Sequence, residues 1–221
     1  MNTKSHDFPP LIVLAGGASR RMGTPKGLMQ GDEGLWLEDQ MLKFKRAGGG
    51  CVVVVLGFHR GQYLESLPWL QSGDFRKNAF QGLEIIAAIN SRPEDGPFFS
   101  LLAGFSALHG RTVEAVWVLP VDVPCPATET FLQLLSAATE KEGTLACIPM
   151  YEGRGGHPVL LNASLFSRFE TLASDDPEAR LDTQIRKLPS TSVRRVEVID
   201  PSVRVDINTP EELARYLRKR G

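Results

Sequence analysis

Cysteine is scarce in this 221-residue sequence, with Cys51, Cys125 and Cys147 widely spaced and odd in number. No Cys-x-x-Cys pair occurs, and each thiol sits in or beside an apolar run. That pattern reads as three reduced, buried cysteines and argues against a disulfide framework or a zinc site. Long hydrophobic runs are missing too, and no stretch approaches a membrane span. The opening residues, MNTKSHDFPP, hold no apolar segment of signal-peptide length, so a cytoplasmic chain with no membrane partner is expected. Charge of one sign is not in excess. Lys and Arg number 25 against 26 Asp and Glu, a net charge of −1, which argues against a nucleic-acid binder. A balanced total still leaves room for local clusters that bind phosphates. Internal repeats, low-complexity tracts and linkers are likewise absent, so residues 1–221 are expected to form a single domain. At this length folding buries roughly three quarters of the unfolded surface, enough for a core without staples.

What is present is alternation. Short apolar runs at Leu11–Leu14, Cys51–Leu56, Ala115–Leu119, Leu145–Pro149 and Val193–Ile199 read as strands, with a shorter one at Pro158–Leu161. The first three are continuously apolar, as strands covered on both faces are. Helical patterning is expected at about Leu35–Ala47, Phe80–Asn90, Phe98–His109, Thr128–Lys141, Leu165–Leu172 and Pro177–Lys187. A last helix should start near Pro210, where Thr209-Pro-Glu-Glu reads as an N-cap, a first-turn proline and a capping-box Glu212. This order predicts an α/β fold, a mostly parallel twisted sheet with helices on both faces. Ligands of such sheets bind beyond the carboxyl ends of strands, which directs attention to the loops after Leu14, Leu56 and Leu119.

The first of those loops is unusual. Leu14-Ala-Gly-Gly-Ala-Ser-Arg-Arg-Met-Gly-Thr-Pro-Lys26 follows a buried strand with glycines and cations. Glycines expose backbone N–H groups to an anion, and Arg21 and Lys26 add formal charge five positions apart. Two familiar phosphate motifs fail here. A P-loop needs glycine immediately before lysine and a hydroxyl residue after it, but Pro25 precedes Lys26 and Gly27 follows. The dinucleotide fingerprint needs Gly-x-Gly, whereas Gly16 and Gly17 are adjacent.

The same stretch resembles the signature Leu-Ala-Gly-Gly-x-Ser-x-Arg-Met-Gly-x-x-Lys of the MobA-like NTP transferases, relatives of molybdenum cofactor guanylyltransferase and molybdopterin cytidylyltransferase. Every specified position is matched. The resemblance implies a three-layer Rossmann-like fold of the nucleotide-diphospho-sugar transferase type. It implies that Leu14, Ala15, Gly16 and Gly17 meet the nucleotide while Arg21 and Lys26 neutralise its phosphates as catalytic cations. The implied reaction is Mg2+-dependent transfer of NMP from an NTP, GTP or CTP, to a phosphorylated acceptor with release of pyrophosphate. The implied acceptor is molybdopterin or molybdenum cofactor. A sugar-phosphate nucleotidyltransferase and a non-catalytic nucleotide-binding assembly protein are the alternatives.

Mg2+ is usually held by one or two carboxylates together with phosphates and water. Asp122, flanked by Pro120 and Pro124 just past a buried strand, matches the family's Asp-x-Pro. It is the expected catalytic metal ligand. Val205-Asp206-Ile-Asn208-Thr-Pro-Glu-Glu resembles the family's Asp-x-Asp-Thr-Pro-Glu-Asp segment, with Asn208 replacing the second aspartate. Asp206 is the expected second metal ligand, Asn208 a neutral oxygen donor, and the alternative is that Asp206 only orders the turn before the last helix. Gly156-His157-Pro-Val-Leu160 resembles a molybdopterin-transferase stretch and makes His157 either an acceptor contact or a fixed turn residue. Ser100, in a Gly-Pro segment that the family uses near the base, and Asn78 complete the expected nucleotide contacts.

Overall fold

A computed structural model describes residues 8–19, 23–70 and 78–218. Its strands are β1 (Leu11–Leu14), β2 (Cys51–Leu56), β3 (Asn78–Phe80), β4 (Leu83–Ile89) and β5 (Ala115–Pro120). They continue with β6 (Ala146–Tyr151), β7 (Arg154–Gly155), β8 (Val159–Asn162) and β9 (Val193–Glu197). All nine join one sheet in the order β3-β4-β2-β1-β5-β8-β6-β7, with β9 on β6. β4, β2, β1 and β5 pair in parallel. β8 runs against both β5 and β6, so β6 and its parallel neighbour β9 share the direction of β5. The sheet is therefore mostly parallel, with β3, β7 and β8 reversed.

The helices are α1 (Trp36–Arg46), α2 (Arg60–Ser66), α3 (Pro97–Ser106), α4 (Thr128–Thr139), α5 (Phe166–Phe169), α6 (Leu181–Arg186) and α7 (Pro210–Arg218). Side chains alternate across the sheet, so β1 sends Leu11 and Val13 to one face and Ile12 to the other. Trp36, Phe44, Tyr63, Phe131 and Leu213 bring α1, α2, α4 and α7 onto the first face. Phe98, Leu101, Phe166 and Ile185 bring α3, α5 and α6 onto the second. The result is three layers, as the alternation of elements predicts. Cys51, Cys125 and Cys147 form no disulfide; Cys125 and Cys147 are buried as expected, and Cys51 is half-buried. Among the described residues no helix is long and apolar enough to cross a membrane.

One expected element is of the wrong type. The segment read as a helix over Phe80–Asn90 is instead the strand β4, paired along its length with β2. Gln81 and Gly82 take φ of 51° and 83°. They form a two-residue hairpin turn that sets β3 against β4, with Phe80 opposite Leu83. Ile85, Ile86, Ala87 and Ala88 are buried on both faces, so the apolar run carries neither the alternation of a half-buried strand nor a clear helical stripe. Tertiary pairing, rather than local preference, decides its state. The end helix follows the expected chemistry: Thr209 Oγ1 accepts from Glu212 N at 3.2 Å, and Glu212 Oε2 accepts from Thr209 N at 3.1 Å.

β1 sits where the strand order reverses, with β2 leading one way and β5 the other. In register, Leu14 lies between Val55 and Pro120, so three strands deliver their carboxyl-end loops to one place. α3 clamps that region from below. A Cβ on Gly104 would lie 2.6 Å from Ile12 Cγ2 and 2.8 Å from Val55 Cγ2, closer than side chains pack. Gly104→Ala is expected to destabilise the fold by about 1–3 kcal/mol through overpacking. A lower urea midpoint at unchanged slope is the expected readout, and an unshifted midpoint would contradict this contact.

Candidate active site

The loop after β1 is held down by its neighbours. Ala15 N donates to Val55 O at 2.9 Å, and Val121 N donates to Leu14 O at 3.1 Å. These bonds extend the sheet ladder past Leu14, so Leu14 and the Ala15 amide serve as wall. Gly16 then accepts from Phe58 N at 3.3 Å. A Cβ on Gly57 would stand 2.5 Å from Gly16 O, so glycine at 57 is what allows the two loops to touch. Beyond this point the backbone opens out. Gly17 is exposed and has open space where its Cβ would be. Ala18 O lies 2.8 Å from His59 Nε2, a tether from a residue to which the sequence assigns no role.

Lys26 returns the chain to this place. Its backbone N lies 3.4 Å from Ser19 Oγ, closing the loop on itself. Gly27 donates its N–H to the buried Tyr63 hydroxyl at 3.0 Å, and a Cβ there would sit 2.7 Å from that oxygen. Glycine after the lysine is thus required by Tyr63, a different reason from the one that orders a P-loop. Burial pushes the Tyr63 hydroxyl up to about 12, so it remains a hydroxyl at neutral pH.

The Lys26 ammonium lies 2.8 Å from Asp122 Oδ2 and 3.0 Å from Asn208 Oδ1. These three residues are far apart in sequence. Asp122 leaves β5 in a turn closed by Val123 N to Pro120 O at 3.1 Å. Its own carbonyl accepts from Ile207 N at 2.8 Å, which docks the segment before α7 beside it. Asn208 is fixed in turn by its N–H to Glu212 Oε2 at 2.7 Å. The Lys26 and Asp122 side chains retain 14% and 31% of their exposure, so the pair is screened from bulk water without being sealed from it.

Lys26, Asp122 and Asn208 line a cleft of about 490 Å3, within the usual range for small-ligand sites, together with Leu14–Ser19, Phe58, Pro93, Pro97 and Ser100. Ser100 Oγ accepts from Asn90 Nδ2 at 3.0 Å and lies 3.3 Å from where a Gly16 Cβ would be, so it supports the floor. Phe58 is 48% exposed, an aromatic face left open at the cleft. The lining thus combines a charged cluster, glycine backbone and apolar side chains, groups that suit a phosphorylated ligand carrying an aromatic base.

Residues 11–190 match the family model of the MobA-like NTP transferase domain. The chain belongs to that family. A curated relative, molybdenum cofactor guanylyltransferase of Rhodopseudomonas palustris (strain BisB5), is 26% identical over 226 residues, 99% of this chain and 97% of the relative. Among solved structures, a Mycobacterium tuberculosis H37Rv protein in complex with manganese is similar at a TM-score of 0.65 and 17% identity, over 95% of this chain and 97% of that one. Molybdopterin-guanine dinucleotide biosynthesis protein A of Archaeoglobus fulgidus is similar at 0.63 and 19%, over 95% and 97%. At these identities the structures speak for fold alone. As a MobA-like NTP transferase, the chain is a nucleotidyltransferase.

Within this MobA-like domain the expected site residues fall into distinct places. Leu14, Ala15, Gly16, Gly17, Lys26, Ser100 and Asp122 all line the cleft. Arg21 lies outside the described residues. Asn78 opens the edge strand β3, opposite Ile85 and separated from β1 by two strands. Asp206 is exposed and does not line the cleft, whereas Asn208 does. His157 also stays outside it, at a cis peptide bond with Pro158, its N–H donating to Val203 O at 2.9 Å. Phe58 also lines the cleft, and its one sequence signal is an aromatic placed directly after Gly57 at a strand's carboxyl end.

Burial drives the His157 imidazole below its ordinary 6.5, against the opposing pull of the Val118 backbone, Asp122 and Asp206. Its Nδ1 is buried without a partner. A histidine neutral when folded must take up a proton on unfolding in acid, so its contribution is complete above pH 6.5 and is lost as pH falls below it. His157→Gln is expected to flatten the decline in unfolding free energy below that pH, measured by urea titration across a pH series. Parallel profiles for the two proteins would refute the neutral buried imidazole.

Proposed function

We propose that this nucleotidyltransferase uses GTP and Mg2+ to transfer GMP to a molybdopterin-type phosphate, releasing pyrophosphate. One observation carries the reading. A single lysine ammonium is poised where a glycine loop, a strand-end carboxylate and an amide oxygen meet at a cleft. The guanylyl and molybdopterin assignments are supported by the name of the relative that aligns over nearly the whole chain.

The reaction joins an acceptor phosphate oxygen to the α-phosphorus and breaks the bond to pyrophosphate. Both partners are anionic, so positioning and charge neutralisation dominate the barrier. The acceptor phosphate is ionised at neutral pH and needs no general base. Backbone from Gly16 to Ala18 would face the polyphosphate, Lys26 and Arg21 would neutralise it, and Phe58 would cover the base. Asp122 Oδ2 and Asn208 Oδ1 converge on one cation within 3.0 Å, a donor set of hard oxygens that suits Mg2+. Bound there, Mg2+ would stabilise charge developing on the phosphate oxygens. Asp206 adds negative charge to the same segment without joining that convergence.

Lys26→Ala is expected to weaken NTP binding by about 2–4 kcal/mol, the loss of a charge-assisted contact that leaves a carboxylate behind. Asp122→Asn should keep most NTP affinity and lower turnover by a factor of about a hundred or more. Pyrophosphate release across GTP, CTP, ATP and UTP, each with molybdopterin or a sugar phosphate, reads both effects. Release that requires a sugar phosphate, or normal turnover by Asp122→Asn, would overturn the assignment.

A further inference from the structure

Resting on that reading, we infer that Trp36 is a positioning residue for the transfer, a side chain outside the cleft that joins the three segments carrying Lys26, Asp122 and Asn208 and sets where they converge. Trp36 is the first residue of α1. It is 1% exposed and lines no part of the cleft.

A different part of Trp36 meets each segment. The indole holds the Asp122 segment, with Nε1 donating to Val121 O at 2.7 Å. A buried indole donor needs an acceptor, and this one takes the carbonyl immediately before Asp122. The backbone holds the Lys26 segment. The first N–H groups of a helix have no partner within it, and Trp36 N donates instead to Met29 O at 2.7 Å. Met29 N in turn donates to Lys26 O at 3.3 Å. The ring holds the Asn208 segment. Tyr216, on the helix that Asn208 precedes, meets the indole edge-on with centroids 5.9 Å apart. The Lys43 ammonium lies 5.6 Å from the Trp36 ring and 5.8 Å from that of Tyr216, a cation–π contact shared by the pair.

One turn along α1, Gln40 supports the same arrangement. It is fully buried, its Nε2 donates to Trp36 O at 3.1 Å, and its Oε1 accepts from Cys125 N. Trp36 and Gln40, on one face of the helix, therefore grip backbone on both sides of Asp122, at 121 and at 125. Placement is left to the backbone, and the carboxylate is left to the cleft. Displacing a reacting group by about 1 Å costs roughly a hundredfold in rate. Register among three distant segments is thus a requirement of the chemistry as well as of the fold.

Trp36→Phe, made in the full chain, tests this: it removes the indole N–H and keeps an aromatic ring and the backbone bond to Met29. Pyrophosphate release from GTP with molybdopterin is expected to slow by about tenfold to a hundredfold, while affinity for α,β-methylene GTP, by calorimetry, stays within about threefold. Hydrogen exchange followed by NMR supplies a readout apart from activity. The Val123 and Ile207 amides, bonded to Pro120 O and Asp122 O, should exchange about tenfold faster relative to the Gly27 amide, which Tyr63 holds. Gln40→Met should give the same pattern, and it carries the test if thermal melts show Trp36→Phe to be unfolded. Trp117→Phe is the control. That indole is also fully buried, but its Nε1 has no partner among the described residues, so its loss should destabilise the protein without slowing turnover. Wild-type turnover and exchange in both Trp36→Phe and Gln40→Met, or equal slowing by Trp117→Phe, would overturn the inference. Absence of pyrophosphate release by wild type would remove the substrate reading alone, and the exchange rates would still decide the role of Trp36.

Discussion

The contact on which the proposed chemistry rests is the Lys26 ammonium held between Asp122 and Asn208. Three segments separated by some ninety residues each contribute one group to it, and none of the three holds its position alone. Lys26 depends on Pro25 before it and on Tyr63 gripping Gly27. Asp122 depends on the turn at the end of β5, and Asn208 on the α7 capping box. The active end of the cleft is therefore a product of the whole sheet, not of one motif.

The sheet arranges this by topology. The strand order reverses at β1, where the segments following β1, β2 and β5 meet at one cleft, and such a switch point is where folds of this kind bind ligands. Two glycines then set the distance between the loops. Gly57 permits contact with Gly16, and Gly104 permits α3 to approach the underside of β1 and β2. Larger residues at either would move the cleft wall.

Much of this is written in the sequence where chemistry is local. Leu11–Leu14 is apolar throughout because helices cover both faces, and Thr209 with Glu212 marks its helix start through groups three residues apart. The glycine loop and Asp122 stand just past the buried strands β1 and β5, where the sequence directs attention, and both line the cleft. β4 was not, since Leu83–Ile89 acquires its state from pairing with β2 and from the Gln81-Gly82 turn. Which of Asp206 and Asn208 meets Lys26 was equally hidden. Both lie on one short segment, and only its docking through Ile207 N to Asp122 O sends the side chain of Asn208 to Lys26. Phe58 at the cleft was hidden too, because exposure of an aromatic is a property of the finished surface.

The proposed function requires the Lys26 ammonium to meet the phosphates of a bound nucleotide. A crystal structure with α,β-methylene GTP and Mg2+ tests it most directly. The account predicts phosphate oxygens at about 3 Å from Lys26 Nζ, the ordinary hydrogen-bond distance, with the glycine loop along the same chain of phosphates. A nucleotide bound with Lys26 still joined to both Asp122 and Asn208, and no phosphate beside it, would contradict the account.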